Sequence, residues 1–271
     1  MFFTFSSRLV YNVRSLTVAV QAQGTTVAAR QELDVVEFAK ESLQFEPDER
    51  QAEVLRSTAR RGILNCTRQW GKSTIAGIKA LHRAHTKPGS LVVVASPTER
   101  QSAEFLSKAA VLLARMGVQP RGDGRNAISL LLPNGSRIVG LPGTEGTVRG
   151  FSNVSLMVID EAARVPDDVY KALRPMLAVA NGDLWLLSTP AGKQGFFYDN
   201  WEHGGDEWER VTVRATDCQR IKKEFLEEER QQMGNTWFEQ EYLCEFVDNG
   251  RNMFGREVVR AALDDGEPLG L

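Results

Sequence analysis

Residues 62–77, GILNCTRQWGKSTIAG, read in order as a short apolar strand, a polar loop and the start of a helix. Gly71, Lys72 and Ser73 stand where the loop becomes helical. Such a loop binds phosphate because backbone N–H groups and the helix N-terminus point at the anion, while the lysine reaches the outer phosphates and the hydroxyl binds magnesium. The segment predicts a nucleotide site at a strand end, although Cys66 replaces the first glycine of the usual G-x-x-x-x-G-K-S/T pattern.

Strands and helices alternate along the remaining chain. Continuous apolar runs, typical of strands covered on both faces, occupy residues 90–96, 155–160 and 183–188. Helices are predicted over residues 31–43, 51–59, 73–86, 99–116, 167–178, 222–232 and 237–246. Residues 128–143 predict a hairpin with a type I′ turn at Asn134-Gly135. The alternation predicts an α/β fold with a mostly parallel sheet and right-handed crossovers, in which ligands bind at the carboxyl ends of the strands.

Two adjacent acids, Asp160 and Glu161, end the apolar run 155–160. Burying two carboxylates at a strand end is costly unless they serve a cation or a reaction. Asp160 is predicted to hold Mg²⁺, directly or through water, and Glu161 to orient and deprotonate the attacking water. The alternative is an ordinary strand-to-helix turn in which one acid caps the helix, which the Gly-Lys-Ser loop upstream disfavours.

Further polar residues lie at other strand and helix ends. Ser188 and Thr189 follow the next predicted strand, where their hydroxyls could contact a γ-phosphate or its water, although Ser-Thr-Pro is also a common strand exit. Gln51 can pair bidentately with the edge of adenine, with Phe45 and Pro47 near enough to pack against the ring. Gln51 and the absence of an N-K-x-D sequence favour ATP over GTP.

Composition restricts the class of protein. A formal net charge of −2 indicates that any nucleic-acid contact is local. Three cysteines without a C-x-x-C pair argue against a disulfide framework and a zinc site and favour a reducing cytosol. No apolar run approaches the roughly 20 residues of a membrane-spanning helix, so a soluble protein is expected. Residues 1–30 carry arginines and no acid, as a transit peptide does, but a loosely ordered extension or an upstream translation start is favoured.

Four segments of the chain match one set of motifs. Arg68–Ser73 reads R-Q-x-G-K-S, a phosphate loop without the first glycine, and Val158–Ala162 reads V-I-D-E-A. Ser188–Pro190 reads S-T-P, and residues 92–105 contain A-S-P-T-x-x-Q, with a serine before the proline. Together, over residues 45–246, these motifs resemble the ATPase half of the large terminase subunit, the DNA-packaging motor of tailed bacteriophages and related viruses.

The resemblance implies a P-loop NTPase fold of the RecA-like (ASCE) kind, with a mostly parallel central sheet flanked by helices and a small helical lid subdomain. It implies ATP and Mg²⁺ as ligands, with Ser73 and Asp160 on the metal. Glu161 is then the catalytic base, and Thr189 couples hydrolysis to movement of the lid. The implied nucleotide-binding residues are Gln51, Arg68, Gln69, Trp70, Gly71, Lys72, Ser73 and Thr74.

Two arginines are candidates for an arginine finger, which stabilises charge on the transferring phosphoryl group. Arg149 matches an R-G that lies at the subunit edge in this family, and it could enter a neighbour's site. Arg68 could instead supply the charge within the same subunit. The trans role of Arg149 is favoured.

The resemblance also implies a domain organisation. Residues 1–30 are expected to form an N-terminal extension, 31–214 the ATPase core, 215–250 the helical lid subdomain, and 251–271 a linker toward a nuclease domain that is absent here. DNA cutting is therefore not expected of this chain.

The implied function is translocation of double-stranded DNA into a procapsid. The implied partners are further copies in a ring, pentameric on the procapsid, the portal protein and the small terminase subunit, with no membrane. The implied location is the host cell cytoplasm rather than the mature virion. Arg121, Arg125 and Arg137 form a local basic cluster that could contact DNA phosphates, the alternative being a solvated loop.

Two other functions are compatible with a phosphate loop. A helicase-like nucleic-acid-dependent ATPase has a second motor lobe, for which the chain after Pro190 is expected to be too short. A non-hydrolysing nucleotide-binding assembly protein is disfavoured by the presence of Glu161.

Overall fold

The computed structural model describes residues 34–143 and 150–248, and these residues belong to one compact unit. The predicted extension 1–30, Arg149 and the predicted linker 251–271 lie outside the described residues. Within the two described ranges, no helix is both long enough and apolar enough to cross a bilayer.

Helices and strands alternate, as predicted. The helices are α1 (Val35–Glu37, continuing as a π-helical turn over Phe38–Ser42), α2 (Glu49–Arg56), α3 (Lys72–Thr86), α4 (Glu99–Arg115), α5 (Asp167–Leu173), α6 (Gly195–His203), α7 (Lys223–Met233) and α8 (Asn235–Glu241). The strands are β1 (Arg61–Cys66), β2 (Leu91–Ser96), β3 (Ser129–Leu131), β4 (Arg137–Pro142), β5 (Val154–Asp160), β6 (Asp183–Ser188) and β7 (Trp208–Val213). Three helices have N-cap residues, which are Asp34 for α1, Asp48 for α2 and Thr98 for α4. Their side-chain oxygens accept hydrogen bonds from free backbone amides in the first turn of each helix.

The strands form one seven-stranded sheet in the order β3-β4-β2-β5-β6-β1-β7. Neighbouring strands are parallel except β3 and β4. Asn65 of β1 pairs with Ser188 of β6, and Asp160 of β5 pairs with Leu187. The phosphate-loop strand and the acid-bearing strand therefore lie on either side of β6, and all three end at the same edge of the sheet.

Successive residues of the central strands enter two different cores. Val92 and Val94 of β2 join the apolar cluster that contains α3 and α4. Val93 and Ala95 join the cluster that contains α5 and α6. Because helices cover both faces of the sheet, its strands are continuously apolar rather than alternating, which is the pattern that predicted them.

The C-terminal part contains two elements that the sequence analysis did not predict. Helix α6 precedes β7, which extends the sheet by pairing in parallel with β1. Beyond β7, α7 and α8 pack around a small apolar cluster of their own, formed by Ala215, Leu226 and Phe238. This packing agrees with a helical subdomain, while its boundary at residue 214 stays a prediction.

The hairpin between β3 and β4 is present, but the predicted type I′ turn is wrong. That turn needs positive φ at both central residues, and of the pair only Gly135 has it, at 82°. The loop also includes Pro133, and it is closed by the Leu132 amide donating to the Ser136 carbonyl at 2.9 Å. Asn134 instead donates through Nδ2 to the Ala84 carbonyl at 2.8 Å, near the end of α3.

Candidate nucleotide site

The loop between β1 and α3 turns sharply before the helix begins. Gln69 and Gly71 have φ values of 66° and 99°. Glycine is favoured at 71 because side chains rarely adopt a φ of 99° and because a Cβ there would make a tight contact of 3.3 Å with Gln51 Nε2. The loop thus presents the free N-terminal amides of α3 beside the carboxyl edge of the sheet, an arrangement that binds anions.

Cys66 shows why the usual first glycine is not needed in this loop. It is the last residue of β1, is fully buried and pairs with Val213 of β7. The position therefore belongs to the strand, where a side chain packs into the core. Burial raises the pKa of the Cys66 thiol, so Cys66 is a packing residue rather than a nucleophile.

The four residues predicted to carry the chemistry meet at one place. Lys72 Nζ lies 3.3 Å from Glu161 Oε1, and Ser73 Oγ donates to Asp160 Oδ2 at 2.9 Å. Lys72 and Ser73 come from the first turn of α3, whereas Asp160 and Glu161 end and follow β5. The strand order brings these segments together because only β6 separates β1 from β5.

The carboxyl of Asp160 has a shifted pKa. Burial, with the charge of Glu161 as a smaller contribution, raises the pKa of Asp160 to about 6, while Lys72 and Ser73 oppose the shift. A buried carboxylate beside a hydroxyl oxygen is a donor set that suits Mg²⁺, which usually binds proteins through one or two such groups and keeps its waters. Within the described residues, no group of three or more His, Cys, Asp or Glu side chains could hold a metal by itself.

Glu161 has an uncommon backbone conformation, with φ 53° and ψ 42°. A left-handed conformation costs of order 1–3 kcal/mol for a residue other than glycine and is concentrated at functional sites. It directs the chain into a 3₁₀ turn, Ala162–Arg164, directly after the strand. The strained conformation supports a functional role for Glu161.

Arg164 is a site residue that the sequence analysis missed. Its Nη1 donates to Glu161 Oε2 at 3.2 Å and to Thr189 Oγ1 at 3.1 Å. Its Nη2 donates to Glu241 Oε1 at 2.8 Å. The sequence feature from which Arg164 could have been predicted is its position three residues after Glu161, at the carboxyl end of the same strand.

Glu241, the last residue of α8, is the second missed residue. It is 3% exposed. Its carboxylate accepts hydrogen bonds from Arg68 Nε at 2.8 Å and from Thr189 Oγ1 at 3.3 Å, in addition to that from Arg164. No local sequence pattern marks Glu241, because its partners come from distant parts of the chain.

The predicted adenine-binding residue Gln51 is engaged by backbone groups. Its Oε1 accepts from the Asp48 amide at 3.1 Å, and its Nε2 donates to the Trp70 carbonyl at 2.9 Å. A cavity of about 760 Å³ beside it is lined by residues that include Phe45 and Arg220 and adjoins the phosphate loop through Trp70. The contact of Gln51 with adenine therefore stays a prediction, and it would have to use the second N–H of Nε2 and the second lone pair of Oε1 or displace one of these hydrogen bonds.

The other predicted nucleotide-site residues are placed in different ways. Trp70 is buried and its carbonyl accepts hydrogen bonds from Gln51 Nε2 and Arg220 Nη2, whereas Arg68 and Gln69 are exposed on the loop. Thr74 lies half-buried in the first turn of α3. The buried Ser188 Oγ has no hydrogen-bond partner in the described part of the chain, which is compatible with a ligand or water there.

The basic cluster predicted to contact DNA contains two exposed arginines and one that is paired with a carboxylate. Arg121 and Arg125 are exposed, but Arg137 pairs with Asp123 at 3.3 Å. Burial alone would raise the pKa of Asp123, but hydrogen bonds from the Asn126 and Arg125 amides and nearby side chains hold it below the usual range. Arg137 therefore pairs with a carboxyl group whose surroundings favour its ionised form.

The fold and the site together define a class of protein. A mostly parallel sheet in which β6 separates the phosphate-loop strand from the acid-bearing strand is that of a P-loop NTPase of the RecA-like kind. Residues 63–260 match the family described as terminase large subunit, T4likevirus-type, N-terminal. The chain belongs to this family.

Curated relatives agree with the family. The large terminase subunits of Thermus phage G20c and Thermus virus P23-45 are each 27% identical to this chain over 249 residues. Those alignments cover 79% of this chain and 51% of each relative, so the chain spans about half the length of the curated relatives it matches.

Solved structures support the fold. The large terminase ATPase domain of Thermus phage P74-26 is 25% identical with a TM-score of 0.68, over 77% of this chain and 97% of that domain. The large terminase of another thermophilic bacteriophage, solved in complex with ADP, is 14% identical with a TM-score of 0.62, over 84% of this chain and 56% of that protein. This second likeness concerns the fold alone.

Proposed function

We propose that this chain is the Mg²⁺-dependent ATPase motor of a viral DNA-packaging machine, which uses ATP hydrolysis to translocate double-stranded DNA into a procapsid. The observation that carries the proposal is the meeting of Lys72 and Ser73 with Asp160 and Glu161 at one edge of the sheet. The likeness to the large terminase ATPase domain of Thermus phage P74-26 supports it.

Each residue has a distinct role in this proposal. The Lys72 ammonium and the N-terminal amides of α3 bind the phosphates. Ser73 and Asp160 would hold Mg²⁺, and the bound ion would supply neutralisation of the phosphate charge. Glu161 accepts a proton from the attacking water and orients it. Thr189 lies between the site and α8, since its Oγ1 contacts both Arg164 and Glu241, which supports its proposed coupling role.

The Asp160→Asn variant tests the ATPase proposal. Since magnesium binding contributes several kcal/mol of transition-state stabilisation, we expect phosphate release with Mg²⁺ to fall at least ~100-fold. The wild-type protein should hydrolyse ATP with Mg²⁺ and stop when EDTA is added. A wild-type protein without Mg²⁺-dependent turnover contradicts the proposal.

The unfolding temperature of the Asp160→Asn protein shows whether its loss of activity comes from misfolding. A carboxylate whose folded-state pKa is raised from 3.8 to about 6 makes the free energy of unfolding fall as pH rises through that window. Asp160→Asn should therefore raise the unfolding temperature by several degrees at about pH 7.5, by roughly half as much at about pH 5 and hardly at all below about pH 3.5, as measured without nucleotide. The exposed Asp206→Asn change is the matched control and should alter neither quantity.

The motor function requires partners that the chain itself does not contain. We propose a ring, pentameric on the procapsid, with the portal protein and the small terminase subunit, acting in the host cell cytoplasm. Arg121 and Arg125 are the exposed members of the cluster proposed to contact DNA phosphates. The measurement is DNA protected from nuclease in a packaging reaction with procapsids, which should require ATP and be lost with Asp160→Asn.

The proposed trans arginine finger can be tested by mixing two inactive proteins. Arg149→Ala leaves Glu161 intact, and Glu161→Gln leaves Arg149 intact. If Arg149 acts in a neighbour's site, the mixture should hydrolyse ATP at least ~10-fold faster than either variant alone, because a finger contributes roughly 10³- to 10⁵-fold. No gain on mixing would contradict the trans role of Arg149.

A further inference from the structure

A group of side chains joins α8 to the nucleotide site. Glu241 accepts hydrogen bonds from Arg68 of the phosphate loop and from Arg164 behind β5, each at 2.8 Å. Thr189, which follows β6, donates to it at 3.3 Å. One carboxylate on α8 therefore contacts all three segments that surround the predicted site.

The burial of Glu241 shows that these contacts are needed. Its side chain is 4% exposed. Burying a carboxylate this deep is costly unless cationic groups and hydrogen bonds replace its water. Its partners are available only while the end of α8 lies against the ends of the strands.

Backbone contacts hold α8 in the same place. Thr67 Oγ1 donates to the Glu241 carbonyl at 3.1 Å, and Asn65 Nδ2 donates to the Cys244 carbonyl at 2.8 Å. Both donors come from the end of β1 or the residue after it. A shift of α8 relative to the sheet must therefore break or change contacts at the site itself.

Arg164 connects this helix end to the predicted base. Both carboxylate oxygens of Glu161 have cationic partners, Lys72 on Oε1 and Arg164 on Oε2. The guanidinium is a rigid planar group, so its Nη1 and Nη2 cannot move independently. When Nη2 loses Glu241, the guanidinium keeps only the contacts of Nη1 with Glu161 and Thr189, which do not fix the whole plane of the group.

We propose that Arg164 and Glu241 are positioning residues. They make the orientation of Glu161 depend on whether α8 is seated, that is, on whether its C-terminal end packs against the ends of the strands. Only while α8 is seated does Arg164 hold the Glu161 carboxylate in the orientation that activates water. This inference rests on the proposed ATPase function and adds the route by which the helical segment controls hydrolysis.

The test uses Arg164→Lys, Glu241→Gln and the double variant. A small misplacement of a catalytic group can cost about 100-fold, so each single change should lower kcat about 10- to 100-fold, while the Kd for a fluorescent ATP analogue stays within about threefold. Because both act through one link, the double variant should be about as slow as the slower single variant. Amide hydrogens of residues 235–243 should exchange faster in Glu241→Gln.

The matched control is Glu245→Gln, which removes an exposed carboxylate paired with Arg214 at 3.2 Å and should leave kcat and exchange unchanged. An unchanged kcat in Glu241→Gln, additive losses in the double variant, or a change confined to ATP affinity would each overturn the inference. These results differ from failure of the ATPase proposal, in which the wild-type protein itself hydrolyses no ATP.

Discussion

Glu161→Gln protein is expected to bind ATP at least as tightly as the wild-type protein and to hydrolyse it about 10²- to 10⁴-fold more slowly. Glutamine keeps the shape of the side chain and an oxygen that can face Lys72 and Arg164, but it cannot accept the proton of the attacking water. Loss of one negative charge beside the phosphates also favours nucleotide binding. Single-turnover hydrolysis and binding of a fluorescent ATP analogue measure the two effects separately.

The control for Glu161→Gln is Glu104→Gln, which removes an exposed carboxylate of α4 that pairs with Lys108 at 3.5 Å. This change should leave both hydrolysis and binding as in the wild-type protein, because exposed pairs contribute little. Retained hydrolysis in Glu161→Gln would remove the assignment of this residue as the base. It would also remove the premise for a positioning role of Arg164.

Lys72→Ala is the second change with a very large expected effect, and here both binding and turnover should be lost. The Lys72 ammonium is buried, and its cationic charge at the start of α3 is the one expected to meet the outer phosphates. Removing a charged hydrogen bond should weaken ATP binding at least ~10-fold, and turnover should fall below detection because the transition state carries more charge on the same oxygens. Lys72 also lowers the pKa of Asp160, so its removal raises that pKa further and hinders metal binding.

The comparison between the two variants separates their roles. Lys108→Ala, on the exposed face of α4, controls for loss of a lysine and should have no effect on either measurement. If Glu161→Gln lost ATP binding as severely as Lys72→Ala, the division into a phosphate-binding lysine and a catalytic base would be wrong. Turnover that survives in Lys72→Ala would contradict the phosphate-loop assignment itself.

Much of the fold could be predicted because its signals are local. The apolar runs that became β2, β5 and β6 are continuous since helices cover both faces of the sheet. Strand β7 was missed because its middle residues are only half-buried at the edge of the sheet, so that it lacks such a run. The prediction of a type I′ turn was wrong because the loop is longer than the Asn-Gly pair suggests. It includes Pro133, and Asn134 contacts the end of α3.

By itself the sequence determined the strand, loop and helix around Lys72, and the acid pair that ends β5, because periodicity and residue chemistry act over a few neighbouring positions. Only the tertiary structure decided that Arg164 lies between Glu161 and Glu241, residues 3 and 77 positions away from it. It likewise decided that Gln51 contacts the phosphate loop through the Trp70 carbonyl. Such contacts depend on strand order and on how α8 packs at the sheet edge, and no local pattern of residues carries that information.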